Sequence, residues 1–503
     1  MRASLAIAVA LMLVVAGCSQ APGAGTTADT TGATDAPGQS DTDSDSTDSG
    51  GEQSAVNKPD DPDSDVLGWE DGIWYNETIN VTPEDGLNDT ELEKVVSRSM
   101  ARVEQVRGLE FDDRVPVEIQ TREEFREEQQ GQSVPDHRRV FDNTKFEALF
   151  MINESTDSIG VQNSNSGSAI GGFYSPAEER IVVVSENSET PELNEITLSQ
   201  ELFHALQDQH FDFDSFNQST RELHNAKDGL IEGDGNYVDY LYEQRCGDEW
   251  GGDCLTPTPQ QQSGEGLANM GPYILKFQPY SDGPAFVRGV HREGGWDAVN
   301  DLYENQPEST EQIIHPDKFG DDSPTEFRVE DASGESWDRL SVDGRPDYAS
   351  VGEAGIFSML MYPYYKSGGE SQVIPAQDFF NVDQSSGELR TIDPLNYNST
   401  PSDGWDGDKL FVYTNDATDE NETGYVWQSV WDSEQDAGEF VEGYERLLNF
   451  NDATQVDGRE NTWRIEGEFG DAFYVQQDGD TVTIVNAPTV EALSGVHEDA
   501  ASE

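Results

Sequence analysis

One stretch of the chain, ITLSQELFHALQDQHF at residues 196–211, carries most of the residue types that support catalysis. Its apolar residues recur three and four apart, which predicts a helix. Gln200, His204 and Asp208 are spaced four apart and share one helix face, with Glu201 beside them. In the pattern HExxH, two histidines at this spacing bind zinc and the glutamate activates a water. Here a glutamine stands at the first ligand position.

An amide oxygen is a weak zinc donor, and a catalytic zinc normally has three protein ligands and a water. Replacements for the missing imidazole are poorly placed. Asp208 lies one turn from His204 on the side opposite Gln200, and His210 points elsewhere on a regular helix. His224 approaches only if the intervening loop folds back. We therefore expect no bound cofactor, or zinc if the protein is active.

The elements around this helix are predicted by their patterns. Leu92, Val95, Val96, Met100 and Val103 form one stripe of an earlier helix. Residues 115–119 alternate as in a strand, and FYSPAEERIVVV at 173–184 predicts two strands around a turn. Thr190-Pro191 is a candidate N-cap and first helical position for the helix at 196–211.

The composition of the 503 residues is strongly acidic, with 29 Lys+Arg, 101 Asp+Glu and a formal charge of −72. Such a charge repels nucleic acid and anionic lipid, which excludes both as partners of the folded body. Carboxylates repel little when the Debye length is ~3 Å, as at ~1 M ionic strength. We therefore expect a halophilic protein that loses structure in dilute buffer; an ordinary but unusually acidic protein is the alternative.

The N-terminus predicts export. Arg2 precedes an apolar run from Leu5 to Val15 that is too short to span a bilayer, which is typical of a signal peptide over residues 1–17. The following Cys18 resembles a lipobox cysteine, and by that resemblance it becomes a lipidated N-terminus. Residues 18–66 lack aromatic side chains and predict a disordered tether. The expected location is the extracellular face of the membrane, with the lipid on Cys18 as the anchor.

Export also bears on covalent chemistry. Cys246 and Cys254 are the remaining cysteines, and in an exported chain such a pair suggests a disulfide. A metal site is disfavoured because the spacing is too wide and no second pair exists. Asn-x-Ser/Thr sequons, which are candidate glycosylation sites, begin at Asn76, Asn80, Asn88, Asn153, Asn217, Asn398 and Asn421.

ELFHALQDQHFD resembles the active-site helix of exported gluzincin-like metallopeptidases, whose members read HELxHALQDQHFD. The segment LIEGD at 230–234 resembles their EGDA motif. Further similarity lies in FVRGVHREGGWDAV, PESTEQIIHPDKF and GYVWQSVWDSEQDAGEF, so the resemblance covers the chain from about Leu67 to the C-terminus. Within this family, the chain most resembles a haloarchaeal group of surface lipoproteins.

This resemblance implies roles for individual residues. His204 and Glu232 are the implied metal ligands, Gln200 occupies the substituted ligand position, and Glu201 is the general base. Asp234 and Asp208 are expected to support the metal ligands without contacting the metal. The alternative for His204 is a buried, hydrogen-bonded remnant of an ancestral site.

Other histidines have weaker assignments. Asp208 and His210 are expected to hold the helix end and the following loop. His315 is a candidate electrophilic helper in the cleft, although a structural role that orients the turn before Pro316 is favoured.

The resemblance implies an α+β fold: a zincin-like domain over residues 67–329, with an HExxH-type helix and a helical second half. A small α+β lobe is predicted over residues 330–503. Its expected elements are a buried helix or strand at 355–365, strands at 409–413 and 425–431, a helix at 433–450 and a hairpin at 472–486. Trp405, Trp427 and Trp431 are expected in its core rather than on a sugar-binding surface.

Two functions from different classes follow. The first is a non-catalytic surface lipoprotein that keeps a peptidase-like scaffold to bind a peptide or an envelope protein. The second is an active zinc endopeptidase with an altered ligand set. A solute-binding lipoprotein for a transporter fits the anchor but has no supporting motif.

Overall fold

The computed structural model describes residues 61–81, 86–125, 134–153, 155–169, 171–185, 193–247, 249–251, 254–256, 267–415 and 422–501. The predicted signal peptide, Cys18, most of the predicted tether, Thr190-Pro191 and Asn421 lie outside these residues. Within the described ranges, no helix is long and apolar enough to cross a membrane.

Helices and strands alternate irregularly along the chain. The helices discussed below are α1 (Asp89–Arg107), α2 (Asp136–Ala148), α3 (Ser158–Ala169), α4 (Glu195–His210), α5 (Arg221–Arg245), α6 (Met270–Glu304), α7 (Thr310–Ile314), α8 (Gly352–Lys366), α9 (Glu434–Phe450) and α10 (Leu493–Val496). The strands are β1 (Trp69–Glu70), β2 (Ile73–Trp74), β3 (Val117–Thr121), β4 (Gly172–Ser175), β5 (Arg180–Ser185), β6 (Asp338–Arg339), β7 (Trp405–Asn415), β8 (Glu422–Trp431), β9 (Thr454–Gln455), β10 (Thr462–Arg464), β11 (Ala472–Asp478) and β12 (Thr481–Ala487).

The first half of the chain is built on a three-stranded sheet in the order β3-β5-β4. The strand β3 runs parallel to β5, whereas β4 forms an antiparallel hairpin with it. The sequence IVVV gives β5 a fully buried run, as expected for a central strand. The strand β4 is therefore one of the two edge strands of this sheet in the described part of the chain, and α4 packs beside it.

The helices α5 and α6 approach each other at their backbones. A Cβ atom at Gly233 would lie 2.6 Å from the carbonyl carbon of Gly283, so only glycine fits this crossing. Further along, α6 kinks at Gly295, where φ is 72°. This close crossing determines where the side chains that flank Gly233 point.

The second half of the chain is built on a seven-stranded antiparallel sheet in the order β6-β7-β8-β12-β11-β10-β9. The amphipathic α9 covers one face, where Phe440 stacks on Trp431 with ring centroids 4.8 Å apart. Trp405 and Trp427 are also buried, which confirms their predicted core position. The same core includes Phe146 of α2 and Ile274 of α6, so it draws on both halves of the chain.

The coarse prediction of an α+β fold is confirmed. The predicted helices at 196–211 and 433–450 and the hairpins at 173–184 and 472–486 are present within one or two residues. The ambiguous segment 355–365 is a helix. The predicted start of α4 at Thr190-Pro191 is wrong, because the side chain of Asn194 caps the helix by accepting from the Ile196 amide.

Two covalent predictions concern the surface of this fold. Cys246 and Cys254, which follow α5, form a disulfide, as predicted. Among the sequon asparagines that the structure describes, Asn80, Asn88, Asn217 and Asn398 are exposed, and Asn76 and Asn153 are partly buried. Their glycosylation stays a prediction.

Candidate functional site

The helix α4 is anchored at its N-terminus by a buried ion-pair cluster. Glu195 lies 2.8 Å from Arg98 and 2.6 Å from Arg102, both on α1. Burial opposes the charge of Glu195, but the two guanidinium groups lower the pKa of its carboxyl. The Tyr242 hydroxyl and the Leu255 amide also donate to this carboxylate at 2.7 Å. These bonds fix the helix that carries the motif.

The centre of the motif is a contact between two helices. His204 Nε2 of α4 lies 3.4 Å from Glu232 Oε2 of α5. The other ring nitrogen, Nδ1, is 2.7 Å from Gln207 Oε1. Burial opposes protonation of this imidazole, but the Glu232 carboxylate raises the pKa of His204 to about 10. The resulting partners are an imidazolium and a carboxylate.

The helix α5 reaches His204 because a glycine follows the motif. A Cβ atom at Gly235 would lie 3.1 Å from His204 Cε1, which is closer than most side chains tolerate. The segment EGDG at 232–235 therefore places Glu232 on the histidine while its glycines allow the neighbouring backbone to approach.

Glu201 faces the sheet. The amide of Tyr174, on β4, donates to Glu201 Oε2 at 2.8 Å. Burial raises the pKa of Glu201 to about 7, and the nearby Glu232 acts in the same direction while His204 opposes it. A carboxyl with this pKa exchanges a proton near neutral pH, which is the property expected of a general base.

Gln200 occupies the position of the first histidine of HExxH and is buried. Its side chain has no hydrogen-bond partner among the residues that the structure describes. The amide therefore holds no neighbouring side chain in place, and its oxygen is a weak donor for a metal ion.

Behind His204 lies a buried polar network that ends in an ion pair. Gln207 Nε2 donates to the Tyr303 hydroxyl at 2.6 Å, and this hydroxyl donates to Asp234 Oδ2 at 2.9 Å. Asp234 in turn pairs with Arg107 at 3.1 Å, and both side chains are fully buried. Asp234 is therefore linked to His204 through Gln207 and Tyr303 rather than by direct contact.

Other candidates from the sequence lie around the motif. Asp208 accepts from the Tyr174 hydroxyl at 2.7 Å, and His210 Nε2 is 2.7 Å from the carbonyl of Glu110. Both residues hold α4 to its surroundings. His224 Nε2 lies 3.3 Å from Asp228 on its own helix. His315 contacts Glu353 and Asp403, and within the described residues it forms no hydrogen bond or ion pair with His204, Glu201 or Glu232.

Two residues of α6, Lys276 and Tyr280, lie near Glu232. Burial opposes the charge of Glu232, but His204 above all, and then Tyr280 and Lys276, lower the pKa of this carboxyl. Beyond Lys276 is a cavity of about 240 Å³ bordered by α2, α3, α5 and α6. There Arg221 donates to Gln162 Oε1 at 3.2 Å and Lys276 donates to Ser166 Oγ at 3.3 Å. These hydrogen-bond partners are neutral, and the Asp228 carboxylate is near enough to oppose the lowering of both pKa values by burial.

Three residues near the motif were missed by sequence reasoning. Tyr174, Lys276 and Tyr280 come from segments far from the motif and have no distinctive spacing. Gln207 did carry a signal, because it lies three residues after His204 in the same helix and therefore on the same face.

The donor set does not fit a catalytic zinc. Two ligand atoms on a tetrahedral zinc with bonds of ~2.1 Å are about 3.4 Å apart, so the 3.4 Å between His204 and Glu232 is suitable for two ligands. The third protein ligand would be the Gln200 amide, which zinc disfavours. We therefore derive no reaction step through a metal at this site.

Comparison with known proteins gives one partial match. Residues 338–497 match a family described as a domain of unknown function (DUF8575). No curated protein and no solved structure matches the chain. The matched segment covers the seven-stranded sheet region and excludes the site on α4 and α5.

Proposed function

We propose that this chain is a cell-surface lipoprotein with a zincin-like scaffold that binds a peptide or envelope protein without cleaving it. One observation carries the proposal: the surviving histidine of the motif faces Glu232 at 3.4 Å while an amide stands at the position of the other histidine. The location is supported by two predictions from the sequence, a lipid anchor at Cys18 and a tether over residues 18–66.

The charges of the site support a non-catalytic role. With a pKa of about 10 for His204 and a lowered pKa for Glu232, the pair carries one positive and one negative charge at neutral pH. Glu201, with a pKa of about 7, is half protonated there. The proton on His204 therefore supplies a positive charge where a metal ion would otherwise do so. The charges of the buried groups nearly cancel without a metal.

The sheet edge and the cavity support a binding role. As one of the two edge strands of its sheet, β4 has backbone groups that an extended peptide can pair with by strand addition, apart from the Tyr174 amide, which donates to Glu201. Arg221 and Lys276 line the cavity, where their hydrogen-bond partners are neutral. An acidic peptide, such as a segment of another acidic surface protein, has the chemistry to bind these two cations.

The alternative function is an active zinc endopeptidase. It is favoured by the separation of His204 from Glu232, which suits two zinc ligands, and by the near-neutral pKa of Glu201. In that case Gln200 would have to serve as the third ligand.

The test is zinc stoichiometry and casein cleavage, measured on the full chain purified in molar salt. We expect no chelator-sensitive cleavage and no zinc that depends on His204. The proposal is overturned if zinc is present near one equivalent, is lost in His204→Ala, and supports cleavage that Glu201→Gln abolishes. His224→Ala is the matched control, because His224 also faces a carboxylate on α5 but lies outside the motif.

A further inference from the structure

A second histidine–carboxylate cluster lies where the helical region meets the seven-stranded sheet. His315 Nε2 is 3.0 Å from Glu353 Oε1 and 3.6 Å from Asp403 Oδ1. The candidate ligand atoms of the three residues lie within 4.8 Å of one another. Glu353 is fully buried, His315 is largely buried, and Asp403 opens to solvent with its side chain 53% exposed.

Each member of the cluster lies on a segment that is fixed by a backbone hydrogen bond. His315 is the C-cap of α7, where its amide donates to the Glu311 carbonyl at 2.7 Å. Glu353 lies in the first turn of α8, which is pinned where the Gly352 amide donates to Asp408 at 2.9 Å. The Asp403 amide donates to the Ser399 carbonyl at 2.9 Å, which closes the turn before β7. Three separate segments therefore converge on this point.

One oxygen of this cluster has no partner. Glu353 Oε2 is buried and makes no hydrogen bond, although Oε1 of the same carboxylate faces His315. An unsatisfied buried acceptor costs ~1–3 kcal/mol. A single proton on His315 Nε2 can be donated only to Oε1, so Oε2 remains without a hydrogen bond. A divalent cation in the same place accepts both oxygens of Glu353 as ligands.

A neighbouring acidic group shows the contrast. Glu311, Asp322 and Asp432 also converge, but the Lys318 ammonium lies among them, 2.5 Å from Glu311, 2.6 Å from Asp432 and 3.2 Å from Asp322. That group already contains its cation. The cluster at His315 has no lysine or arginine in ion-pair contact among the described residues.

We propose that His315, Glu353 and Asp403 bind a divalent transition-metal cation of the zinc or manganese type. The separations of 3.0 and 3.6 Å between ligand atoms suit bonds of ~2.1 Å to one ion. An imidazole donor favours a transition metal over calcium or magnesium, which prefer oxygen ligands alone. The ion joins α7, α8 and the turn before β7, so its role is to stabilise this junction. The proposal is independent of the proposed function, since it uses none of the residues on α4.

The experiment is a Zn²⁺ titration of the chelator-stripped full chain in molar salt, with a chromophoric chelator as competitor. We expect one site in the wild type, at least ~100-fold weaker binding in His315→Ala, and ~10-fold weaker binding in Asp403→Asn. Asp403 is half exposed, so this second variant tests the site without disturbing the core. A rise in Tm on adding Zn²⁺ is expected in the wild type and absent in His315→Ala.

His224→Ala and His204→Ala are the controls and should bind Zn²⁺ as the wild type does. Wild-type binding that is unchanged in His315→Ala, or a wild type that binds no Zn²⁺, overturns the proposal. If binding is lost in His204→Ala instead, the metal lies at the α4 site. That result overturns this proposal, and with it the absence of zinc expected under the proposed function.

Discussion

Two histidines of this protein face buried carboxylates, and their surroundings differ. His204 lies 3.4 Å from Glu232, with Gln207 on its other ring nitrogen. His315 lies 3.0 Å from Glu353, whose second oxygen has no partner. The first site resembles a metal centre in sequence, but both ring nitrogens of its histidine already have partners. The second site has no sequence motif, but Glu353 Oε2 is free to bind a cation. Sequence resemblance therefore indicates a metal at His204, whereas the unpaired oxygen indicates one at His315.

The largest effect is expected from breaking the network that supports His204. Asp234→Ala removes the partner of Arg107, a fully buried cation, and the acceptor of the Tyr303 hydroxyl. Loss of one partner of a buried ion pair typically costs ~3–5 kcal/mol because the other charge stays buried. We expect a loss of this size in the free energy of unfolding, measured by urea denaturation in molar salt.

The other cluster provides the comparison. Asp403→Ala removes a side chain that is 53% exposed, so we expect a change below ~1 kcal/mol in metal-free protein. Equal losses in the two variants would mean that the site on α4 is no more tightly held than the cluster at His315.

The next prediction concerns the ligand that the first site lacks. Gln200→His restores a third strong donor beside His204 and Glu232, which completes the set typical of catalytic zinc. We expect zinc affinity at this site to rise by at least ~100-fold, or about 2.7 kcal/mol, measured in a His315→Ala background. Absence of any gain would mean that the geometry of the site has changed beyond one side chain.

Which site residues the sequence could predict depends on how far apart they lie along the chain. Gln200, Glu201 and His204 lie within two helical turns, so their common face could be read from spacing alone. Glu232 could be placed only through the resemblance, because nothing in the spacing reveals that Gly235 lets α5 approach His204. The helices and hairpins of the fold were predicted from periodicity for the same local reason.

The cluster at His315 shows where such prediction ends. Its three residues are separated by tens of positions, and their meeting depends on how α7, α8 and the turn before β7 pack. The sequence suggested a helper in the cleft or a structural role for His315, and neither interpretation identified Glu353 or Asp403 as its partners. Long-range packing of this kind leaves no periodic signal.

A third prediction concerns pH. The pKa of His204 is about 10 in the folded chain against about 6.5 for an unperturbed histidine, so the folded state binds the proton more tightly. The stabilisation is complete below pH ~6.5 and is lost as the pH rises towards 10. Between pH 7 and 9 we expect stability to fall by up to ~1.4 kcal/mol per unit.

The matched variant is Glu232→Gln, which removes the carboxylate that raises the pKa of His204. In this variant we expect the imidazole to titrate below pH 7 by NMR, and the decline in stability between pH 7 and 9 to disappear. A wild-type His204 that titrates near pH 6.5 would contradict the ion pair and reopen the site to a metal.

The smallest effect tests how rigidly α5 holds His204. Alanine stabilises a helix interior over glycine by ~1 kcal/mol, and Gly289, with open space around it on α6, should show that gain in Gly289→Ala. In Gly235→Ala the new methyl would lie 3.1 Å from His204 Cε1, so the ring must shift and we expect the gain to vanish. The measurement is the difference in unfolding free energy between the two variants. Equal stabilisation would mean that His204 moves freely, in which case the contrast with His315 would rest on the carboxylates alone.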